Sequence, residues 1–216
     1  MKHIINMYKD AFSKYGDSNK SVFWPKGKQE NRFEALCQKI DKRETFSILD
    51  YGCGLGDLYK FLDIKFDSFH YTGVDIVDEF VSFANEKYID TSNAHFYKIN
   101  NSLEVIEDYD YIVASGTFNV LFKDTFEEHF EILKNTFANL FNKTNIYLAI
   151  NFLNKDVDYI QDGAYHQDVI ELYNFVVKHL SKRVIIDQSY MPYEFSIIIY
   201  KDQAINENIY QKKEKQ

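Results

Sequence analysis

The fold class that this sequence predicts is α/β: a doubly wound, seven-stranded sheet, mostly parallel with an antiparallel last strand, under an N-terminal helical lid. Three observations carry that expectation. Short apolar runs alternate with segments whose apolar residues recur at helical spacing. The first run ends in LDYGCGLGDL, a glycine-rich turn that leads straight into a helical pattern. Only SYMPY separates the last two runs, RVIIDQ and EFSIIIYK, too short a link for the crossover that a parallel pair needs.

Taken in order, TFSILDY (45–51) is the first strand, and DLYKFLDI (57–64) is a helix with Leu58, Phe61 and Leu62 on one face. FHYTGVDI (69–76) is the second strand, followed by a helix over 77–89 with Val77, Phe80, Val81, Ala84 and Tyr88 at helical spacing. AHFYKI (94–99) and DYDYIVAS (108–115) are strands three and four, and a long amphipathic helix is expected from 122 to 141. NIYLAINFL (145–153) is apolar almost throughout, as a strand covered on both faces is. QDVIELYNFVVKHL (167–180) is the last helix, and the closing hairpin ends the sheet. The first 44 residues hold at least one helix, near 29–40, and are too few to bury a core of their own. The expected division is therefore a lid at 1–44, one domain at 45–204 and a polar tail at 205–216.

Composition narrows the function classes. The net charge of −8 repels a phosphate backbone, so no nucleic-acid partner is expected. No apolar run reaches the roughly 18 to 20 residues of a membrane span, and the first residues lack a signal-peptide pattern. The expectation is a cytoplasmic chain without a membrane partner. Cys37 and Cys53 form neither a disulfide framework nor a ligand spacing. Asp156, Asp158 and Asp162 lack the full calcium-loop pattern, so no metal is expected.

The glycine turn reads G-x-G-x-G, not the G-x-G-x-x-G of dinucleotide sites. Gly52 permits the tight turn, Gly54 lets a ligand approach the backbone, and Gly56 permits close helix–strand packing. Asp50, two positions before Gly52, is awkward beside a pyrophosphate and suits an ammonium group. Asp75 ends the second strand. A carboxylate there accepts both hydroxyl hydrogens of a ribose, or caps the helix that follows; both roles stay open.

These residues, with YTGVDI, the strand DYDYIVASGTFNV and the closing hairpin, resemble the class I S-adenosylmethionine-dependent methyltransferases over about residues 45–200. VASGTFNV, YLAINFLNKDVDY and QSYMPYEFSIIIYK further resemble a subgroup of small bacterial enzymes from surface-polysaccharide and specialised small-molecule pathways. The resemblance implies a Rossmann-like fold, S-adenosylmethionine as cofactor and S-adenosylhomocysteine as product. It implies methyl transfer to an oxygen of a small polar acceptor, such as a sugar or a phosphate-like group. N-methylation of a small molecule and a non-catalytic adaptor are its alternatives. Asp50 is then placed near the methionine amino end, and the backbone of Gly52, Cys53 and Gly54 along the cofactor. Asp75, with Ile76, is placed at the ribose. Asn100, where the family usually has aspartate, or its neighbour Asn101 is placed at the adenine, and Ser115 opens the loop that faces the sulfonium. Trp24 and Arg32 match a segment that closes over the cofactor, Arg32 offering a two-pronged contact to the methionine carboxylate. Pro25 stands where that subgroup commonly has glycine, and Trp24 equally suits simple packing of the lid.

Catalytic residues are sought in the loops beyond the strand ends. His166 is the best candidate base, because its ordinary pKa lies near working pH; the alternative is a polar residue heading a helix. Tyr159 shares its loop. Asn119 and Asn151 either shape the site or satisfy loop backbone, and His129 reads as helix surface or packing. Tyr190, Tyr193 and Glu194 belong to the hairpin turn, which reaches either the acceptor mouth or a partner subunit. The loop reads SGTF and not N-P-P-Y, which argues against methylation of base amines. No oligomeric state follows from the sequence.

Overall fold

The computed structural model describes residues 2–24, 28–123 and 125–201; Pro25 and the polar tail expected at 205–216 lie outside these. Helices α1 (Lys2–Tyr15) and α2 (Gln29–Cys37) precede β1 (Phe46–Tyr51), α3 (Asp57–Lys65), β2 (Phe69–Asp75), α4 (Asp78–Lys87) and β3 (Ala94–Lys98). A short 3-10 turn (Ser102–Glu104) leads to β4 (Tyr109–Ala114), α5 (Phe126–Asn142) and β5 (Thr144–Asn154). Then come β6 (His166–Gln167), α6 (Val169–His179), β7 (Val184–Asp187) and β8 (Glu194–Tyr200). No helix among the described residues is long and apolar enough to cross a membrane.

The sheet runs β3-β2-β1-β4-β5-β8-β7, with β6 paired to the end of β5. Strands β1 to β5 pair in parallel, whereas β8 is antiparallel to both β5 and β7. The seven-stranded, mostly parallel sheet with an antiparallel last strand is therefore present, with one two-residue strand added. The last strand is an interior one. That explains its composition: Phe195, Ile197, Ile198 and Ile199 are fully buried, while the edge strand β7 is half-buried along its length.

Each face of the sheet has its own core. On one face, Leu36 of α2, Leu58 and Leu62 of α3 and Ala84 of α4 pack against Ile48, Tyr147 and Ile198. On the other, Phe130, Leu133 and Phe137 of α5 and Leu172 and Val176 of α6 pack against Ile112, Leu148 and Ile197. A third, smaller cluster matters for function. Tyr8, Phe12 and Val22 of the N-terminal segment sit on Leu55, Val77 and Phe80, so the lid rests on the end of the glycine turn and the start of α4.

Two expectations shift. The long helix begins at Phe126, four residues later than the apolar pattern predicts, because Thr125 caps it by accepting the N–H of Glu128 at 3.1 Å. The residues before it are held by a tertiary contact: Val120 bridges Ala164, and the Leu121 N–H donates to Gly163 O at 2.9 Å. His166, expected in a loop ahead of a helix, lies instead in β6, paired with Leu153.

His129 is fully buried on α5, as the packing reading expects, with its ring 4.0 Å from Tyr165 and 4.1 Å from Phe122. Its Nδ1 accepts the Phe122 N–H at 3.4 Å. Burial lowers its pKa from 6.5 to about 4, so the ring is neutral in the fold. The unfolded chain binds this proton more tightly, so the contribution is full above pH 6.5 and is lost as pH falls towards 4. The size is on the order of 3 kcal/mol. Urea midpoints at pH 7.5 and pH 4.5 test this: His129→Leu should flatten the acid loss, and a wild-type slope in that variant refutes the assignment.

Candidate active site

Chain order reverses between β1 and β4, which lie side by side, and open α/β sheets take their ligands in the crevice beyond the C-terminal ends at such a point. The loops leaving those ends meet there. Gly52 has φ +83°, and its N–H and that of Cys53 both donate to Val74 O, at 2.7 and 3.0 Å. Thr117, in the loop after β4, donates its hydroxyl to Tyr51 O at 2.7 Å. A Cβ on Gly52 would stand 2.4 Å from Thr117 Oγ1. Turn geometry and loop contact both require glycine here. At Gly54 an added Cβ would come within 3.3 Å of Val22 Cγ1, so the lid lies directly on the glycine turn.

Asp75 sits where β2 meets this turn, 8% exposed. Its Oδ2 accepts the Gly54 N–H and its Oδ1 the Val77 N–H, each at 2.9 Å. One carboxylate thus ties the turn to the start of α4. Burial raises its pKa, opposed by the N–H groups of Val77, Gly54 and Ile76. Asp50 is 2% exposed and accepts the Tyr71 hydroxyl at 2.6 Å. Burial pushes its pKa up to about 7; the Tyr71 bond opposes this, and the charges of Asp75 and Asp57 add to it. Two carboxylates held against burial make a pocket that favours positive charge.

Across the crevice, Arg32 of α2 is 3% exposed and pairs side-on with Glu194, Nε to Oε2 at 2.6 Å and Nη2 to Oε1 at 2.5 Å. Its guanidinium carbon lies 3.0 Å from the Trp24 ring centre, and Trp24 Nε1 is buried without a partner. Tyr8 completes the lid side, its ring 5.3 Å from Phe23 and 5.8 Å from Phe80. Burial first, then the charge of Asp75, pushes its hydroxyl pKa up to about 12, with Arg32 opposing. Tyr8 therefore feels both Asp75 and Arg32.

The other sequence candidates are more scattered. Cys53 is buried in the turn with its thiol pKa pushed well up by burial, which makes it unreactive. Ile76 is half-buried in the lid seat. Ser115, half-buried, follows β4 directly. Asn100 is exposed and turns its amide to Glu104 Oε1 at 2.9 Å, while Asn101 Oδ1 caps the 3-10 turn through the Leu103 N–H at 2.9 Å. Asn119 accepts the Leu153 N–H at 3.1 Å, and its Nδ2 is buried without a partner. Tyr159 is 72% exposed. Both ring nitrogens of His166 meet backbone: Nδ1 contacts Asn154 O at the end of β5 at 2.7 Å, and Nε2 accepts the Gln161 N–H at 3.4 Å. Sequence reasoning gave no site role to Tyr8 or Thr117 and left Glu194 as a turn residue. A lone carboxylate heading the apolar EFSIIIY was the available signal for Glu194; Tyr8, one of 17 tyrosines, offered none.

The packing of the two loops makes a stability prediction. Gly52→Ala combines a left-handed φ with the Thr117 clash and should cost about 2–4 kcal/mol in urea unfolding. Thr117→Ala alone should cost about 1 kcal/mol, the value of its hydrogen bond. Placed in the Gly52→Ala background it should restore part of the lost stability instead, since the Oγ1 and Cγ2 clashes go but the φ strain stays. Strictly additive losses in the double variant are the contrary result.

Comparison with known proteins bears on this arrangement. A family model described as "Methyltransferase domain" matches residues 49–142. The Mycobacterium tuberculosis protein named "Putative methyltransferase Rv1506c" is 30% identical over 164 residues, 75% of this chain and 97% of that protein. Magnesium protoporphyrin IX methyltransferase from Synechocystis PCC 6803, solved with bound SAH, superposes with TM-score 0.62 at 15% identity, over 94% of this chain and 100% of that one. Phosphoethanolamine N-methyltransferase 2 of Haemonchus contortus, in complex with S-adenosyl-L-methionine, gives TM-score 0.62 at 13% identity, over 84% and 46% of the two chains. At these identities the two structures share the fold alone. Sequence likeness along nearly the whole mycobacterial protein makes the chain a member of the methyltransferase family, and its sheet has the class I S-adenosylmethionine-dependent methyltransferase fold.

Proposed function

We propose that this protein transfers the methyl group of S-adenosylmethionine to an oxygen of a small polar acceptor, releasing S-adenosylhomocysteine. The observation that carries the reading is the pair of buried carboxylates, Asp50 and Asp75, gathered at the glycine turn opposite the buried guanidinium of Arg32. That donor and acceptor set fits the cofactor, which bears positive charge, two ribose hydroxyls and a carboxylate. When bound, it supplies an electrophilic methyl carbon on a positive sulfur.

The chain's own residues then bind, orient and exclude water. Asp75 accepts from the ribose hydroxyls, with Ile76 beside it, and Asp50 favours the amino end. The backbone of Gly52, Cys53 and Gly54 flanks the cofactor. Asn100 or Asn101 meets the adenine after turning from Glu104, and Ser115 opens the loop towards the reacting carbon. Arg32 keeps its Nη1 edge for a ligand oxygen, since no acceptor for it occurs among the described residues. The lid residues Tyr8, Val22 and Trp24 close the crevice to water. His166 braces the loop after β5 through its two backbone contacts, and Asn119 holds the loop after β4 to Leu153. The acceptor in this reading is a sugar or a phosphate-like group, as in surface-polysaccharide synthesis.

Calorimetry decides the cofactor: saturable binding of S-adenosylmethionine and S-adenosylhomocysteine is expected, and none of NAD. Asp75→Asn should weaken S-adenosylhomocysteine by about 1–3 kcal/mol, because an amide cannot serve all of its partners. Binding of NAD alone, or an unchanged affinity in a folded Asp75→Asn variant, contradicts the reading. A screen of neutral sugars against phosphorylated ones, read by product mass, tests the acceptor.

A further inference from the structure

One buried carboxylate joins four parts of the fold. Glu194 heads β8, 4% exposed, and holds Arg32 of the lid side-on. Its Oε2 also accepts from Asn151 Nδ2 of β5 at 2.9 Å, and Asn151 Oδ1 accepts the N–H of Gly116 at 2.7 Å. Gly116 belongs to the loop after β4 and is pressed against the same arginine: a Cβ there would lie 2.7 Å from Arg32 Nη1. Trp24 also packs its ring against the guanidinium. The chain of contacts runs from Trp24 through Arg32, Glu194 and Asn151 to Gly116.

Such a device is a poor way to gain stability. Removing both ions from water costs several kcal/mol each, and well-packed apolar side chains of similar volume often hold a fold as well or better. What the pair adds is geometry. The guanidinium fork accepts one side-on orientation, and each carboxylate oxygen is used. We propose that Glu194 is a positioning residue of the methyl-transfer site. Through Arg32 and Trp24 it sets the lid, and through Asn151 it sets the loop after β4, so that closing the lid and ordering that loop are one event. This inference rests on the reading of the crevice as a cofactor site, but its first test does not.

Trp24 is the single tryptophan of the chain, so its fluorescence reports directly on the arginine stack. Glu194→Gln keeps the shape and removes the charge. The variant should retain its far-ultraviolet circular dichroism, while Trp24 emission shifts to longer wavelength and becomes more accessible to acrylamide. Its affinity for S-adenosylhomocysteine should fall about 10-fold, within the usual range for coupled sites. Saturating S-adenosylhomocysteine should return the emission to the wild-type value, which a generally loosened core would not do. Asn151→Ala removes a donor from Glu194 Oε2 as well as the loop contact: it should lower affinity and shift Trp24 emission in the same direction as Glu194→Gln, by a smaller amount. The Glu194→Gln/Asn151→Ala double variant should lose little more than Glu194→Gln alone. Unchanged Trp24 emission in a folded Glu194→Gln variant, or additive affinity losses, overturns the proposal. If Glu194→Gln does not fold, Arg32→Lys, which keeps the charge but not the fork, must show the same emission shift or the proposal fails. Absence of S-adenosylhomocysteine binding to the wild type removes the cofactor reading instead, and the emission result still decides whether Glu194 sets the lid.

Discussion

A guanidinium and a carboxylate, each 4% exposed along the side chain, meet where the lid, β5 and β8 converge. Most of what shapes the crevice depends on that contact. Its desolvation is costly, so it persists only when the fork is complete and the leftover oxygen valence is used, here by Asn151. A half-made pair leaves a bare buried charge, so α2 has one docking position. Phe33, Leu36 and Cys37 of the same helix pack on the sheet face beneath, which supplies the apolar burial that the ion pair does not.

The opposite wall is built on a second electrostatic cost. Asp50 and Asp75 are buried with few donors, and both have raised pKa values. Backbone N–H groups from Gly54 and Val77 and the Tyr71 hydroxyl offset part of this. Carboxylates in such a setting are retained where a positive group of a ligand completes the balance, as it does in our reading of the cofactor. The lid then serves both walls. Its aromatic seat on Leu55, Val77 and Phe80 lies over the Asp75 side, and Trp24 with Arg32 closes the Glu194 side.

Much of the fold was legible because periodicity is local. Strand and helix order, the short hairpin link and the apolar character of the fifth and last strands follow from neighbours in sequence. The glycine turn and Asp75 were legible because a turn, a following helix and a carboxylate at a strand end form one contiguous unit. Helix α1 was not specified, because MKHIINMYKDAF interleaves charges with apolar residues and buries only Ile4 and Ala11 fully. The start of α5 was misplaced, because Phe122 continues the apolar rhythm but is held by His129 and the chain around it by the loop after β5. Strand β6 has two residues and no pattern to show; pairing with Leu153 and Asn154 creates it.

By itself, the sequence determined the layered α/β architecture, the crevice at the glycine turn and the acidic residues that line it. All of these rest on spacing within a few residues. Only the tertiary structure decided the partners of those side chains. Arg32 and Glu194 are 162 positions apart, and no local rule pairs them. His166 is a candidate base by residue type alone, because sequence shows the type and not the neighbours; the folded chain sets both ring nitrogens against backbone. Burial and hydrogen bonding are properties of packed chains, and they set the role of a polar side chain more strongly than its identity does.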